Sequence, residues 1–220
     1  GQFAQDYDAV VRSLDELLPP TTQVFVGTVP HVTIPPVTTG LGDFDGRYFD
    51  TYSRFFVNDD NFHSWPNRHL SRAQMKGIDD RIDAFNQTVR GAIEARANYH
   101  LVDTCGILDS LAVKRNENSD DPGRSLTDYY RALGRLDHPL LRLDPVPSIL
   151  MLTTTERGVR TGGGLMSLDG IHPSTLGYGI VAEGFLAAMQ QAGVEGADPR
   201  RLDWDSVIAQ DTLLHTPPKL

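Results

Sequence analysis

The chain has 220 residues and a net charge of −9, a length that suits one α/β domain with a sizeable core rather than two. No basic block is available to meet a polyanion, which argues against a nucleic-acid partner, and no apolar run approaches the roughly 18 residues that span a bilayer. The single cysteine, Cys105, excludes an internal disulfide, so the fold must rest on its core.

The residues from Gly1 onward open at once into a helical pattern, and no signal-peptide pattern is read within them. Phe3, Tyr7, Val10, Val11, Leu14, Leu17 and Leu18 recur at helical spacing, and Pro19-Pro20 stops the helix. Residues 23–27 are β-branched and aromatic and read as a buried strand. A helix followed directly by a continuous apolar strand points to a parallel sheet with covering helices. The Pro-rich segment to Thr39 reads as an irregular loop.

Residues 40–70 are rich in aromatics, among them Phe44, Tyr48, Phe49, Tyr52, Phe55, Phe56 and Trp65. They read as a packed excursion with short helices over one end of the sheet, the rings anchoring it or walling an apolar acyl pocket. Ser71 and Gln74 fit a capping box. Beyond it Met75, Ile78, Ile82, Phe85, Val89 and Ile93 form one face of an amphipathic helix reaching about Ala97. Residues 99–103 are the next strand, and 107–113 a short helix. Cys105 follows that strand and reads as a plain buried thiol, although a lone cysteine with a distant histidine is also a possible nucleophile pair.

Residues 116–123 carry Asn and Asp at spacings faintly like a calcium loop. Asp121 stands where glycine is required and Thr127 where glutamate is required, so no calcium site is assigned. Residues 126–133 read as a helix, 148–152 as a short strand and 161–164 as a flexible glycine joint. Residues 176–191 form a second clear helix closed by Gly193. Gly177, Gly179 and Gly184 inside it cost helix propensity and point to close packing on a neighbour.

The stretch from Gly164 to Tyr178 carries the chemistry. Asp169 stands three residues before His172, with Gly170 and Pro173 shaping the loop and Ser174 or Thr175 capping the helix that follows. A hydrolytic serine needs a neutral imidazole nitrogen to take its proton, and that imidazole needs a partner on its other nitrogen. A short Asp-x-x-His turn can supply both groups, histidine being suited by its near-neutral titration. By spacing alone the pair is equally a turn-capping aspartate beside a half-exposed histidine, or two of the ligands of a metal ion.

The block from Ser167 through Asp169, Gly170, Ile171, His172, Pro173 and Gly177 to Tyr178 resembles the last conserved block of the SGNH/GDSL serine hydrolases. Three further stretches agree in order: 24–30 resembles a late strand and its loop, 82–89 with Asn86 resembles the family's Asn-bearing helix, and 99–103 resembles the following strand. The resemblance covers most of the chain, with 37–70 and 114–160 as variable excursions. It implies a three-layer α/β/α flavodoxin-like sheet with only its later strands present, so that residues 1–220 are the C-terminal portion of one hydrolase domain. It implies ester hydrolysis with His172 as general base and Asp169 orienting it, on a small ester or acylated substrate, without metal or organic cofactor. Lipid, acetylated sugar and small ester all remain open as substrates.

The family's nucleophile turn and its oxyanion Gly and Asn blocks have no counterpart here. The nucleophile is expected on an N-terminal segment outside this chain. Asp109-Ser110-Leu111 imitates a nucleophile turn, but Leu108 replaces the glycine and the position is too far past the strand, which leaves Ser110 a weak candidate. Ser167 shares the loop with Asp169 and His172 and is not placed to attack. The competing expectation is a non-catalytic fragment or pseudoenzyme module of the same fold.

Overall fold

A computed structural model of the chain describes residues 1–38, 40–45, 47–53, 69–112 and 126–219. Among the described residues the architecture is mixed α/β, built around three small sheets. Helix α1 (Gln2–Leu17) precedes strand β1 (Val24–Gly27). Strands β2 (Gly40–Asp45), β3 (Tyr48–Ser53) and β4 (His69–Ser71) form an antiparallel sheet in that order. Helix α2 (Arg72–Glu94), strand β5 (Tyr99–Val102) and helices α3 (Thr104–Leu111) and α4 (Leu126–Ala132) follow. After a 3₁₀ turn at Pro139–Arg142 come the short strands β6 (Thr153–Thr154) and β7 (Arg160–Gly162), then helix α5 (Thr175–Gln191). A 3₁₀ turn at Pro199–Arg201 leads into α6 (Trp204–Gln210) and α7 (Thr212–His215).

β1 and β5 pair in parallel, Val24 opposite Tyr99 and Gly27 opposite Val102. Strand alternation sends Val24, Val26, Tyr99 and Leu101 to one face, where they pack with Val11 of α1 and Ile93 of α2. The other face belongs to α5. A Cβ on Gly27 would meet the Phe185 ring at 3.7 Å, and one on Gly184 would meet Val102 at the same distance. Helices therefore cover both faces of the parallel pair, as burial of an all-parallel sheet requires. A second core joins α3, α4, α5 and α6 around Leu108, Tyr130, Ile180 and Trp204.

Several expectations are met residue by residue. The capping box forms, with Ser71 N donating to Gln74 Oε1 at 2.9 Å and Gln74 N donating to Ser71 Oγ at 3.3 Å. α5 ends at Ala192 with Gly193 at a φ of 76°. Its glycines are sites of close approach. A Cβ on Gly177 would overlap the Leu165 carbonyl oxygen, one on Gly179 would lie 2.7 Å from Trp204, and one on Gly184 would lie 2.5 Å from Ile107.

Other expectations are corrected. The described part of the 40–70 excursion is a sheet rather than short helices, because Phe44, Phe49 and Tyr52 pack edge to face across it. Phe55, Phe56 and Trp65 lie outside the described residues, as does the 116–123 segment. α3 starts at Thr104, not 107, because Asp103 ends the strand and also caps the helix by accepting from Gly106 N at 3.3 Å. Residues 148–152 contribute only an isolated bridge from Ser148 to Gly164. The glycine joint is a pinned turn: Gly163 and Gly164 take φ of 69° and 106°, and the Gly163 carbonyl accepts from Ser148 N at 3.1 Å and Arg160 Nη1 at 3.0 Å.

Candidate functional site

The loop between β7 and α5 is held from several sides. Ser174 caps α5 by accepting from Gly177 N at 3.2 Å and donates its own hydroxyl proton to the Gly164 carbonyl at 2.7 Å. Ser167 N donates to the His172 carbonyl at 2.7 Å, closing the turn. Gly170 sits at a φ of 64°, and a Cβ there would lie 2.5 Å from the Met151 sulfur. Its carbonyl accepts from Val37 N at 3.2 Å, which ties the turn to the loop leaving β1. That loop is anchored in turn by α2: Asp79 accepts from Val32 N at 3.1 Å and Thr33 Oγ1 at 2.6 Å, and Asn86 bonds both the N–H and the carbonyl of Val29 at 2.8 and 3.0 Å.

Within this frame Asp169 and His172 meet. Asp169 Oδ2 lies 2.6 Å from His172 Nδ1. Asp169 Oδ1 accepts from Ser167 Oγ at 2.5 Å, Ile171 N at 2.8 Å and His172 N at 3.0 Å. The His172 contact, the Ser167 hydroxyl and the two backbone N–H groups together hold the Asp169 carboxyl far below the usual carboxylate range. An ionised Asp169 accepts, so Nδ1 carries the proton and the Nε2 lone pair points away from the pair. The His172 side chain is 68% exposed, and no described residue bonds Nε2. A groove of about 460 Å³ runs beside Asp169, lined by Ser167, Leu168, Thr175, Thr212 and Leu213 among others, and His172 is not part of its lining.

The serines fall elsewhere. Ser110 lies on α3 and donates to the Ile107 carbonyl of its own helix at 2.6 Å. Ser167 faces Asp169 rather than Nε2. Among the described residues, no serine hydroxyl touches the His172 ring, and no group of three or more His, Cys, Asp or Glu side chains is placed to hold a metal ion. No described helix is long and apolar enough to cross a membrane.

Sequence reasoning left open whether Cys105 has a histidine partner, and the structure supplies one. Cys105 Sγ lies 3.5 Å from His31 Nδ1, and His31 Nε2 lies 2.9 Å from Asp83 Oδ1. Asp109, then Cys105 and finally Asp83 push the His31 imidazole up to about 10 against the opposing effect of burial. At neutral pH His31 is therefore a cation facing the carboxylates of Asp83 and Asp109. The backbone N–H groups beside the sulfur are already engaged, Cys105 N by Thr28 Oγ1 at 2.9 Å and Gly106 N by Asp103. The cluster is an ion clamp joining the end of β1 to α2 and α3. Its one sequence signal is Asp79, Asp83 and Asn86 at helical spacing beside an otherwise apolar stripe.

Comparison of this chain with protein-family models, with curated proteins and with solved structures returned no match in any of the three.

Proposed function

We propose that this chain carries the acid–base half of an SGNH/GDSL-type serine esterase, with His172 as general base and Asp169 as the group that orients it. The observation that carries the reading is the 2.6 Å contact between Asp169 and His172 Nδ1 in a pinned loop with Nε2 open to solvent. In that arrangement Nε2 takes the proton of a seryl hydroxyl as its oxygen attacks the ester carbonyl, and returns it to the departing alcohol. Water then repeats the sequence on the acyl-enzyme. The seryl nucleophile and the oxyanion donors come from outside this chain. The parallel β1–β5 pair, covered by helices on both faces, is compatible with the later strands of a flavodoxin-like sheet, and the Val37–Gly170 bond ties the His172 loop to the segment that follows β1. The net charge of −9 favours a neutral or cationic ester over an anionic one.

The second reading is a non-catalytic module of the same fold, favoured by the absence of a serine hydroxyl at Nε2 among the described residues. Hydrolysis of p-nitrophenyl acetate and butyrate by the wild type and by His172→Ala, each assayed together with the segment that supplies the nucleophile, separates the two. Turnover that the substitution abolishes supports the esterase. Equal rates for both proteins remove His172 from the reaction, and no turnover by either favours the module. Fluorophosphonate labelling with mass mapping adds a direct check, since a labelled Ser110 would move the nucleophile into this chain.

A further inference from the structure

We propose that Ser167 is a positioning residue for the Asp169–His172 pair, its hydroxyl locking the carboxylate so that Oδ2 faces the imidazole and Nε2 is left as the free base. The proposal rests on the reading of that pair as the acid–base element. A carboxylate turns about a broad, nearly two-fold torsion, so an exposed aspartate does not by itself hold one oxygen toward a neighbour. Here the two oxygens have separate duties. Oδ1 gathers three donors at 2.5, 2.8 and 3.0 Å, while Oδ2 meets Nδ1 at 2.6 Å.

Two of the Oδ1 donors are backbone N–H groups of the turn's descending limb. Ser167 alone approaches from the ascending limb, so it is the one side-chain donor that joins that limb to the carboxylate. Its own position is fixed by Ser167 N donating to the His172 carbonyl at 2.7 Å and by its carbonyl accepting from Gly170 N at 3.0 Å. Ser167 is half-buried whereas Asp169 and His172 are exposed. Its hydroxyl therefore supplies a fixed donor where water would otherwise compete. The contact also uses the hydroxyl proton on Asp169, which accounts for a serine in this loop that does not face Nε2. The other ionisable group lining the groove is Asp211, whose carboxylate is engaged by Leu176 N at 3.1 Å and Leu214 N at 3.0 Å.

The test reads the tautomer rather than activity. Ring ¹⁵N shifts of His172 are recorded by NMR at about pH 8.5, two units above the ordinary imidazole titration, for wild type, S167A, S167T and D169N, with H172Q to assign the signals. The wild type should show the Nδ1–H form. S167A should shift the tautomer ratio toward Nε2–H roughly tenfold, the scale of one charge-assisted hydrogen bond, and S167T should restore it. An S167A ring indistinguishable from wild type, with D169N altered, overturns the role of Ser167 and leaves the pair intact. A wild-type ring indistinguishable from D169N means that the pair itself is not formed, and both readings fall. Failure of S167T to restore the ratio assigns the effect to packing instead of the hydroxyl and also overturns the proposal.

Discussion

Glu183 is the most consequential buried charge in the helical core. It lies midway along α5 at 3% exposure. Oε1 accepts from Trp204 Nε1 and Arg135 Nη2 at 2.8 Å each and lies 3.3 Å from His138 Nε2, while Oε2 accepts from the Tyr130 hydroxyl at 2.9 Å. One carboxylate thus joins α4, the segment after it and α6 to α5. Glu183→Ala leaves the guanidinium of Arg135, only 14% exposed, without its counter-charge and strands the other donors. Breaking a buried pair in this way costs about 3–5 kcal/mol, which for a chain of this size lowers Tm by about 6–20 °C. Glu183→Gln keeps an oxygen for the three donors at Oε1 and presents its amide to Tyr130, whose hydroxyl can turn to accept. It should lose only about 1–2 kcal/mol, or about 2–8 °C. Burial pushes the Glu183 carboxyl up, but the bonds from His138, Trp204 and Arg135 outweigh it and hold it below its ordinary 4.5. Its contribution is therefore complete above pH 4.5 and is lost as pH falls through the depressed folded value. Thermal unfolding followed by circular dichroism across pH checks both effects. Equal midpoints for the Ala and Gln variants, or an Ala variant within about 2 °C of wild type, would refute the assignment of the stability to this network.

His31 gives the opposite pH signature. Its titration is raised from 6.5 to about 10, so its contribution is complete below pH 6.5 and disappears as pH climbs toward 10; His31→Gln should flatten the alkaline decline of Tm, and a variant that declines in parallel with wild type would dismiss the clamp. Gly179→Ala places a Cβ 2.7 Å from Trp204 and should destabilise by about 1–3 kcal/mol. Gly77→Ala, in the exposed interior of α2 with nothing within 4 Å, should stabilise by about 0.5–1 kcal/mol; paired denaturant titrations read both signs. His172→Ala should move Tm by less than about 2 °C because the ring is largely in solvent. A larger drop would mean that any activity lost with His172 reflects unfolding.

Much of the local structure was legible because local rules govern it. The Ser71–Gln74 box, the apolar stripe of α2, the Gly193 stop and the crowded glycines of α5 all follow from periodicity, capping and backbone freedom within a few residues. The proximity of Asp169 and His172 belongs to the same class, since three residues around a positive-φ glycine bring them together. The start of α3 was misplaced because Asp103 serves two elements at once, and strand propensity masks a cap. The 161–164 glycines read as a joint because their tethers, Ser148 and Arg160, do not announce themselves in the motif.

The sequence by itself determined the helices α1, α2 and α5, that β1 and β5 are parallel strands, and that one short turn joins a carboxylate to an imidazole. Only the tertiary structure decided that Cys105 meets His31, that Glu183 gathers donors from three other segments, that Ser110 bonds its own helix, and that His172 stands open to solvent. The physical reason is range. Capping and periodicity act within a turn or two of chain, whereas the pairings of His31 with Cys105 and of Tyr130 with Glu183 span 74 and 53 residues, and they arise only once packing has brought those segments together.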